Sequence, residues 1–439
     1  MVARAGTRPR TRSGHKHDHL VNAFFGKQVL EVDNNSIAPQ RIAFISVHGC
    51  PLARPGSKDT GGMSVYVHQL AQTLGRLGFL VDIYTRVHDS HDPMLVNLDE
   101  NVRVIHVRAG PVRTPKNDLF RYLPRFIAQV KAYQKKHQLR YALVHTQYWL
   151  SGLVGQALAG EWGAPHVTTF HTLAEVKVRA RAGEKESDAR SASERQVAAS
   201  ADRIIVSTAH ERGALQRLYD ADEEKVRVVH PGVDLDLFKP GDQRAARDQL
   251  GLNCHHTLLY VGRLDPIKGL EVLLHTLASM ETPRAVHLLV AGGSEHDEEY
   301  RRLKGVARKL DVQCKVDFLG SLDHALLPLY YQAADVCVVP SYYESFGLVA
   351  LEAMACGTPV VASRVPGLEA IVGDNRSGYL VAWHCPDAFA DRLEVLLAND
   401  ALRQSMGREA HAMAQDMSWD GAARAVAEVY AELGILALS

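Results

Sequence analysis

Hydrophobic and polar positions change period again and again along this chain. In the first half, short apolar runs of strand character ("RIAFISV", "LVDIYT", "VRVIHV", "ALVHTQ", "PHVTTFH" and "RIIVST") are set apart mostly by stretches with helical spacing, such as "MSVYVHQLAQTLGRLG". The second half repeats the arrangement with "TLLYVG", "VHLLVAGG", "KVDFLG", "DVCVVPS", "PVVAS" and "GYLVA". Such alternation predicts α/β layers with parallel strands, one doubly wound sheet per half. Between the halves lies "VRVVHPGVDLDLFKPGDQ", a short strand followed by two Pro-Gly pairs, which predicts a hinge at 231–241. The charged segment "RARAGEKESDARSASERQ" (179–196) reads as a surface loop entering a helix. Near the end, "SWDGAARAVAEVYAELGIL" is an amphipathic helix with Ser418 as its cap.

Length and composition narrow this picture without naming a chemistry. The 439 residues leave room for two domains, each with its own core. Lys+Arg and Asp+Glu both number 50, so no global charge points to nucleic acid. The cysteines at 50, 254, 314, 337, 356 and 385 contain no C-x-x-C pair, and several lie inside apolar runs such as "ADVCVVP" and read as small buried hydrophobes. Neither a disulfide framework nor a zinc site is expected, and a reducing cytoplasm fits. Residues 1–20 carry five Lys/Arg against one Asp and have no apolar centre. They read as a mobile basic tail rather than a signal peptide. No apolar run approaches the ~20 residues of a membrane span. The expected organisation is a tail over 1–38, a first domain over 39–236 and a second over 237–419, with a helix at 420–437 returning to the first.

Two facing open sheets place a cleft where the carboxyl ends of their strands meet. Polar residues that follow strands therefore matter most. Asp59, Gly61 and Gly62 precede the first amphipathic helix, where bare backbone can serve an anion or merely a tight turn. The dinucleotide fingerprint G-x-G-x-x-G is absent there, which speaks against an NAD enzyme. His171 follows "HVTTF", Arg263 follows "LLYVG" with Lys268 close behind, and Glu344 follows "DVCVVPS". Glu352 sits in "ESFGLVALEAMACG", a segment so apolar that a lone charge in it needs a partner. Singly, each has an ordinary reading as a solvated or hydrogen-bonded residue. Jointly they describe a nucleotide-sugar site. Arg263 and Lys268 offer two positive charges to a diphosphate, and Gly61 and Gly62 let backbone donors approach it from the other domain. Glu352 can accept from ribose hydroxyls. Glu344 and the backbone of Phe346, Gly347 and Leu348 suit the hydroxyls of a sugar.

The segments "HGCPLARPGSKDTGGMSVYV", "FHTL", "VVHPGVDLDLF", "YVGRLDPIKGL" and "PSYYESFGLVALEAMACGTPVVAS" closely resemble the family 4 retaining glycosyltransferases of the GT-B fold, from about residue 41 to 437. The resemblance implies two Rossmann-like domains around an interdomain cleft, with a C-terminal helix crossing back to the first. It implies that Arg263 and Lys268 neutralise the donor diphosphate, Glu344 contacts the donor sugar and Glu352 holds the ribose. His171 stands near the reacting sugar, and Gly61 and Gly62 face the phosphates and the acceptor. His171, Arg263, Lys268 and Glu344 form the implied catalytic set. The family mechanism implied is front-face substitution without a metal or other cofactor, with a nucleotide-sugar, by analogy a UDP-sugar, as co-substrate. The "DLD" at 234–236 imitates a metal motif but sits in the hinge-like segment, which the family shares.

Within the family, "AGP" (109–111), "HTQYWLSG" (145–152) and "HTLAEVK" (171–177) are most similar to the enzymes that act on inositol phosphate, then to sucrose-phosphate synthases. That likeness implies a small phosphorylated acceptor held by Lys116, Tyr148, Thr172 and Arg190. Ser64, which stands where the inositol-phosphate enzymes carry asparagine, is implied as a further acceptor contact. Two other readings stay open: a lipid or polysaccharide acceptor, and a non-catalytic nucleotide-sugar sensor. A homodimer is left open, and no nucleic-acid partner is expected.

Overall fold

The structure is a computed structural model, and it describes residues 39–53, 61–253, 255–281, 286–382 and 384–437. The expected basic tail, and Asp59 with it, lie outside the described residues.

Eight strands build the first sheet: β1 (Arg41–Ser46), β2 (Leu80–Arg86), β3 (Leu95–Asp99), β4 (Val102–Val107), β5 (Leu143–Gln147), β6 (His166–Thr169), β7 (Arg203–Val206) and β8 (Val226–Val228). Their spatial order is β3-β4-β2-β1-β5-β6-β7-β8. Every pairing is parallel except β3 with β4. Six strands fill the second sheet: β9 (His256–Val261), β10 (Val286–Ala291), β11 (Val316–Gly320), β12 (Val336–Val339), β13 (Val360–Ser363) and β14 (Gly378–Val381). Their order is β11-β10-β9-β12-β13-β14, all parallel. Helices cover both faces, so central strands such as β1 are buried throughout beyond their first residue. Each apolar run picked out in the sequence lies on a strand. The exception to the pattern is β3, an edge strand whose alternating exposed residues carry too weak a signal to be read in advance.

In both sheets the strand order reverses beside the first strand, at β1/β5 and at β9/β12. Those switch points open a crevice beyond the carboxyl ends of the strands. The segments after β1 and β9 carry Gly61–Gly62 and Arg263–Lys268 respectively.

The chain crosses between the halves twice. The first crossing, after β8, contains Val233 and Phe238, both buried in the second half's core. The second comes before the helix Trp419–Ala431. The two crossings lie side by side: the Val233 N–H donates to the Met417 carbonyl at 2.9 Å. A Cβ on Gly232 would stand 2.2 Å from the backbone of Ser418 and Trp419, so only glycine allows this approach. Ser418 caps the last helix, its Oγ accepting from Gly421 N at 3.1 Å. That helix returns to the first sheet, as expected. Its Trp419, Ala423, Val426 and Tyr430 pack with Ile42, Phe44, Val67 and Leu70. The Tyr430 hydroxyl meets Nδ1 of buried His145 at 2.7 Å.

The segment 179–196 runs, as expected, through a partly exposed loop into a helix. That helix, Asp188–Ser200, is capped by Ser187, and Arg190 on it is buried.

Candidate active site

A cavity of about 330 Å³ lies between the carboxyl ends of the two sheets. From the first half, Gly61, Gly62, Lys116, Tyr148, His171, Thr172 and Arg190 reach its wall. From the second come Arg263, Lys268, Glu344, Phe346, Gly347, Leu348 and Glu352. Ser64 is different. It is buried in the first turn of the helix Gly62–Arg76, and its hydroxyl has no hydrogen-bond partner among the described residues.

The second-half wall is cationic and pre-paired. Lys268 Nζ lies 2.7 Å from Glu344 Oε1, which also accepts from Ser341 Oγ at 2.9 Å. Arg263 holds Asp265 at 3.6 Å. A Cβ on Gly61 would lie 3.6 Å from Arg263 Nε, and one on Gly62 would lie 3.4 Å from Leu348. Bare backbone of the first half thus meets the charged loop of the second. The helix Gly62–Arg76 begins here with no side-chain cap, and so does Leu348–Ala355 behind Gly347. Their unpaired first-turn N–H groups and positive dipole ends suit an anion. Gly347 has φ +95° and a Cβ there would strike Leu368 at 2.7 Å, so this turn requires glycine.

Glu352 has the partners its apolar helix demanded. His324 Nε2 lies 2.8 Å from Oε1, and the Tyr331 hydroxyl donates to Oε2 at 2.9 Å. Burial works against a charge on His324, but the Glu352 carboxylate outweighs it and raises the imidazole above its ordinary value. His324 and Tyr331 were not legible in the sequence beyond that demand for a partner.

On the first-half wall, the His171 Nε2–H donates to Gln147 Oε1 at 2.7 Å, with backbone φ +61°. Its ring faces the cavity rather than bulk water, and burial pushes its pKa down to about 3. It is neutral at pH 7. His48, which the sequence reading passed over, also lines the cavity, 4.5 Å from the Tyr148 ring. Burial lowers its pKa well below normal, and the charges of Lys116, Arg190 and Arg263 add to that effect. Cations from both halves therefore converge on one point.

Lys116, Tyr148, Thr172 and Arg190 are gathered together. The Arg190 guanidinium lies 4.9 Å from the centre of the Tyr148 ring, and Lys116 Nζ lies 5.4 Å from it. Arg190 Nη2 donates to the Thr172 carbonyl at 3.0 Å and to Thr172 Oγ1 at 2.9 Å. Its Nε donates to Glu194 at 2.7 Å, and Nη1 meets Glu186 at 2.9 Å. Four of its five N–H groups are thus engaged by the protein. Arg190 is first a scaffold for Thr172 and Tyr148, and Lys116 is the less encumbered charge.

The halves also touch directly. Ser345 donates to the His171 carbonyl, and Tyr343 donates to Glu211 Oε1 at 3.4 Å. Burial raises the Glu211 carboxyl to about 7. These groups sit in loops whose composition gives no warning of a contact with the other half. In the "DLD" segment, Asp234 Oδ1 accepts from the N–H groups of Asp236 and Leu237, both at 3.1 Å, a turn-forming use of the carboxylate.

Comparison with known proteins agrees with this arrangement. Residues 60–237 match the family model "Glycosyltransferase Family 4", and residues 242–413 match "Glycosyl transferases group 1". The D-inositol 3-phosphate glycosyltransferase 2 of Catenulispora acidiphila is 44% identical over 404 residues, 89% of this chain and 95% of that protein. The D-inositol 3-phosphate glycosyltransferase of Corynebacterium diphtheriae is 43% identical over 413 residues, 90% and 95% of the two chains. Among solved structures, the sucrose-phosphate synthase of Thermosynechococcus elongatus superimposes with a TM-score of 0.85 at 38% identity, covering 90% of this chain and 99% of the other.

Proposed function

Because the chain belongs to the family 4 glycosyltransferases of the GT-B fold, we propose that it moves a hexosyl group, with retention, from a UDP-sugar to a hydroxyl of a small phosphorylated acceptor, inositol 3-phosphate first among them. One observation carries the acceptor half of this reading. Lys116, Tyr148, Thr172 and Arg190 meet on the wall opposite Arg263, Lys268, Glu344 and Glu352, in one cavity. The first cluster offers two charges and two hydroxyls, a donor set suited to a phosphate monoester. The names of the relatives, D-inositol 3-phosphate glycosyltransferases, point to the same acceptor.

In this mechanism the donor diphosphate lies between Arg263, Lys268 and the uncapped start of the helix Gly62–Arg76. Glu352, held by His324 and Tyr331, accepts from the ribose. Glu344 gives up part of its hold on Lys268 and turns to the sugar hydroxyls. The bond from the anomeric carbon to the diphosphate oxygen breaks, and the acceptor hydroxyl forms the new bond on the same face. Its proton passes to the departing diphosphate oxygen. The protein stabilises the charge that develops there and aligns the acceptor. Neutral His171 lends a polar edge to the reacting sugar without competing for that proton. No divalent cation is needed for the step, since two side-chain cations and a helix terminus receive the charge.

The test is a matrix of nucleotide-sugars against inositol phosphate, hexose phosphates and their unphosphorylated counterparts, read by released nucleoside diphosphate and by the anomeric configuration of the product. Preferential use of a UDP-sugar and phosphorylated acceptors, with retention and without stimulation by magnesium or manganese, is expected. Equal use of free and phosphorylated acceptors refutes the acceptor assignment. A tenfold gain from either ion refutes metal independence.

A further inference from the structure

Away from the cleft wall, the fold brings together three metal-ligating side chains that neither the donor nor the acceptor reading uses. Cys50 lies in the segment after β1, His88 two residues past β2, and His106 within β4. One ligand atom from each falls within 4.8 Å of the other two. Positions 50, 88 and 106 have none of the short spacings of a zinc motif, so the expectation that the scattered cysteines leave no zinc site had nothing local to contradict it.

We propose that Cys50, His88 and His106 form a zinc-binding site at the carboxyl edge of the first sheet. The geometry of the innermost pair is the strongest argument. Cys50 Sγ lies 3.5 Å from His106 Nε2. A tetrahedral zinc with Zn–S of about 2.3 Å and Zn–N of about 2.05 Å separates those atoms by about 3.6 Å. His106 is also turned the way a ligating histidine is turned. Its Nδ1 lies 2.6 Å from the Pro93 carbonyl, which fixes the proton there and leaves the Nε2 lone pair aimed at the sulfur.

His88 is positioned by a carboxylate. Its Nδ1 lies 2.8 Å from Asp92 Oδ2, and that oxygen is itself held by the N–H groups of His88 at 2.9 Å and Asp89 at 2.8 Å. Cys50 and His106 are buried, whereas the His88 side chain is 40% exposed. An ion can therefore enter past His88, whose ring has room to close the remaining distance. Solvent is the donor available for the fourth position, on the exposed side of His88. On binding, the Cys50 S–H gives its proton to solvent and the thiolate bonds the ion; no redox step is involved. The ion would fasten the root of the segment that leads to Gly61 and Gly62 onto the ends of β2 and β4. A buried Cys–His hydrogen bond alone is the competing reading, and it predicts no affinity for metal.

The experiment strips the full-length protein with chelator and titrates it with zinc against a chromophoric competitor, then with cobalt(II). One zinc per chain is expected at this site, and cobalt should give the near-ultraviolet band of a thiolate ligand with the intense visible bands of a tetrahedral ion. Cys50→Ala should abolish the thiolate band. His88→Ala, at an exposed position that leaves the core intact, should weaken zinc binding at least tenfold and remove the rise in Tm that zinc gives the parent. The thiolate band separates this site from the histidines near the amino terminus. No thiolate band in the parent overturns the proposal, as does a band that persists unchanged in the folded His88→Ala variant.

Discussion

Replacing Lys268 by methionine separates the two jobs that its position allows. The substitution keeps most of the stem and removes the ammonium that sits 2.7 Å from Glu344. In the unliganded fold the loss is small. Glu344 keeps its bond from Ser341, and the ion pair lies on a solvent-facing cavity, where such pairs contribute about 1 kcal/mol or less. Tm should fall by no more than a few degrees. In the transition state the account differs. A unit charge about 4 Å from another is worth about 4 kcal/mol at an effective dielectric of 20. Deleting one preorganised donor to a developing oxyanion costs about 3 kcal/mol in practice. Glu344 is also left without its cation close to a diphosphate, so the loss is not offset. Turnover should drop roughly a hundredfold or more, read as nucleoside diphosphate released under saturating acceptor, with circular dichroism confirming the fold. A folded Lys268→Met variant within threefold of the parent would place the diphosphate elsewhere.

Glu352→Gln should act on the donor KM, raising it at least tenfold with kcat nearly unchanged, because a charge-assisted bond to ribose is worth about 1.5–3 kcal/mol; a change confined to kcat contradicts the ribose assignment. Lys116→Ala should raise the acceptor KM about tenfold while leaving Tm and donor hydrolysis alone. Arg190→Ala should instead destabilise the protein by about 3–5 kcal/mol, since it strands buried Glu194, and urea unfolding distinguishes the two. Glu211 sets a pH dependence: a carboxyl raised from 4.5 to about 7 on folding keeps its proton longer in the native state. Its contribution is therefore full below about pH 4.5 and is lost as pH climbs toward 7, by an amount on the order of 3 kcal/mol. Glu211→Gln should flatten the fall in stability between pH 5 and 8, and an unchanged slope would count against it.

The sheets were legible because parallel strands buried on both faces write continuous apolar runs, as in "RIAFIS" and "VCVV". β3 was not, since an exposed edge needs no such run. The cleft residues that follow strand ends, from His171 to Glu344, could be picked by position and charge. What local sequence cannot express is who meets whom across the fold. Arg190 is expected to hold the acceptor, yet Glu186, Glu194 and Thr172 engage most of its guanidinium. Ser64 is buried in its helix, which no local pattern announces. His48, Glu211, Tyr343 and His324 matter only through partners far away in the chain, so no pattern around them marks them.

The returning helix Trp419–Ala431 sets an order of events during synthesis. Its apolar side covers part of the face formed by Ile42, Phe44 and Phe79, and Tyr430 supplies the partner of buried His145. Phe79 leaves the ribosome about 340 residues before Trp419 does, which at about 5–20 residues per second is a wait of roughly 20–70 s. Throughout that interval the first half cannot complete its core, and a nascent chain halted short of Ser418 never does. The amino-terminal half, although made first, is therefore finished last.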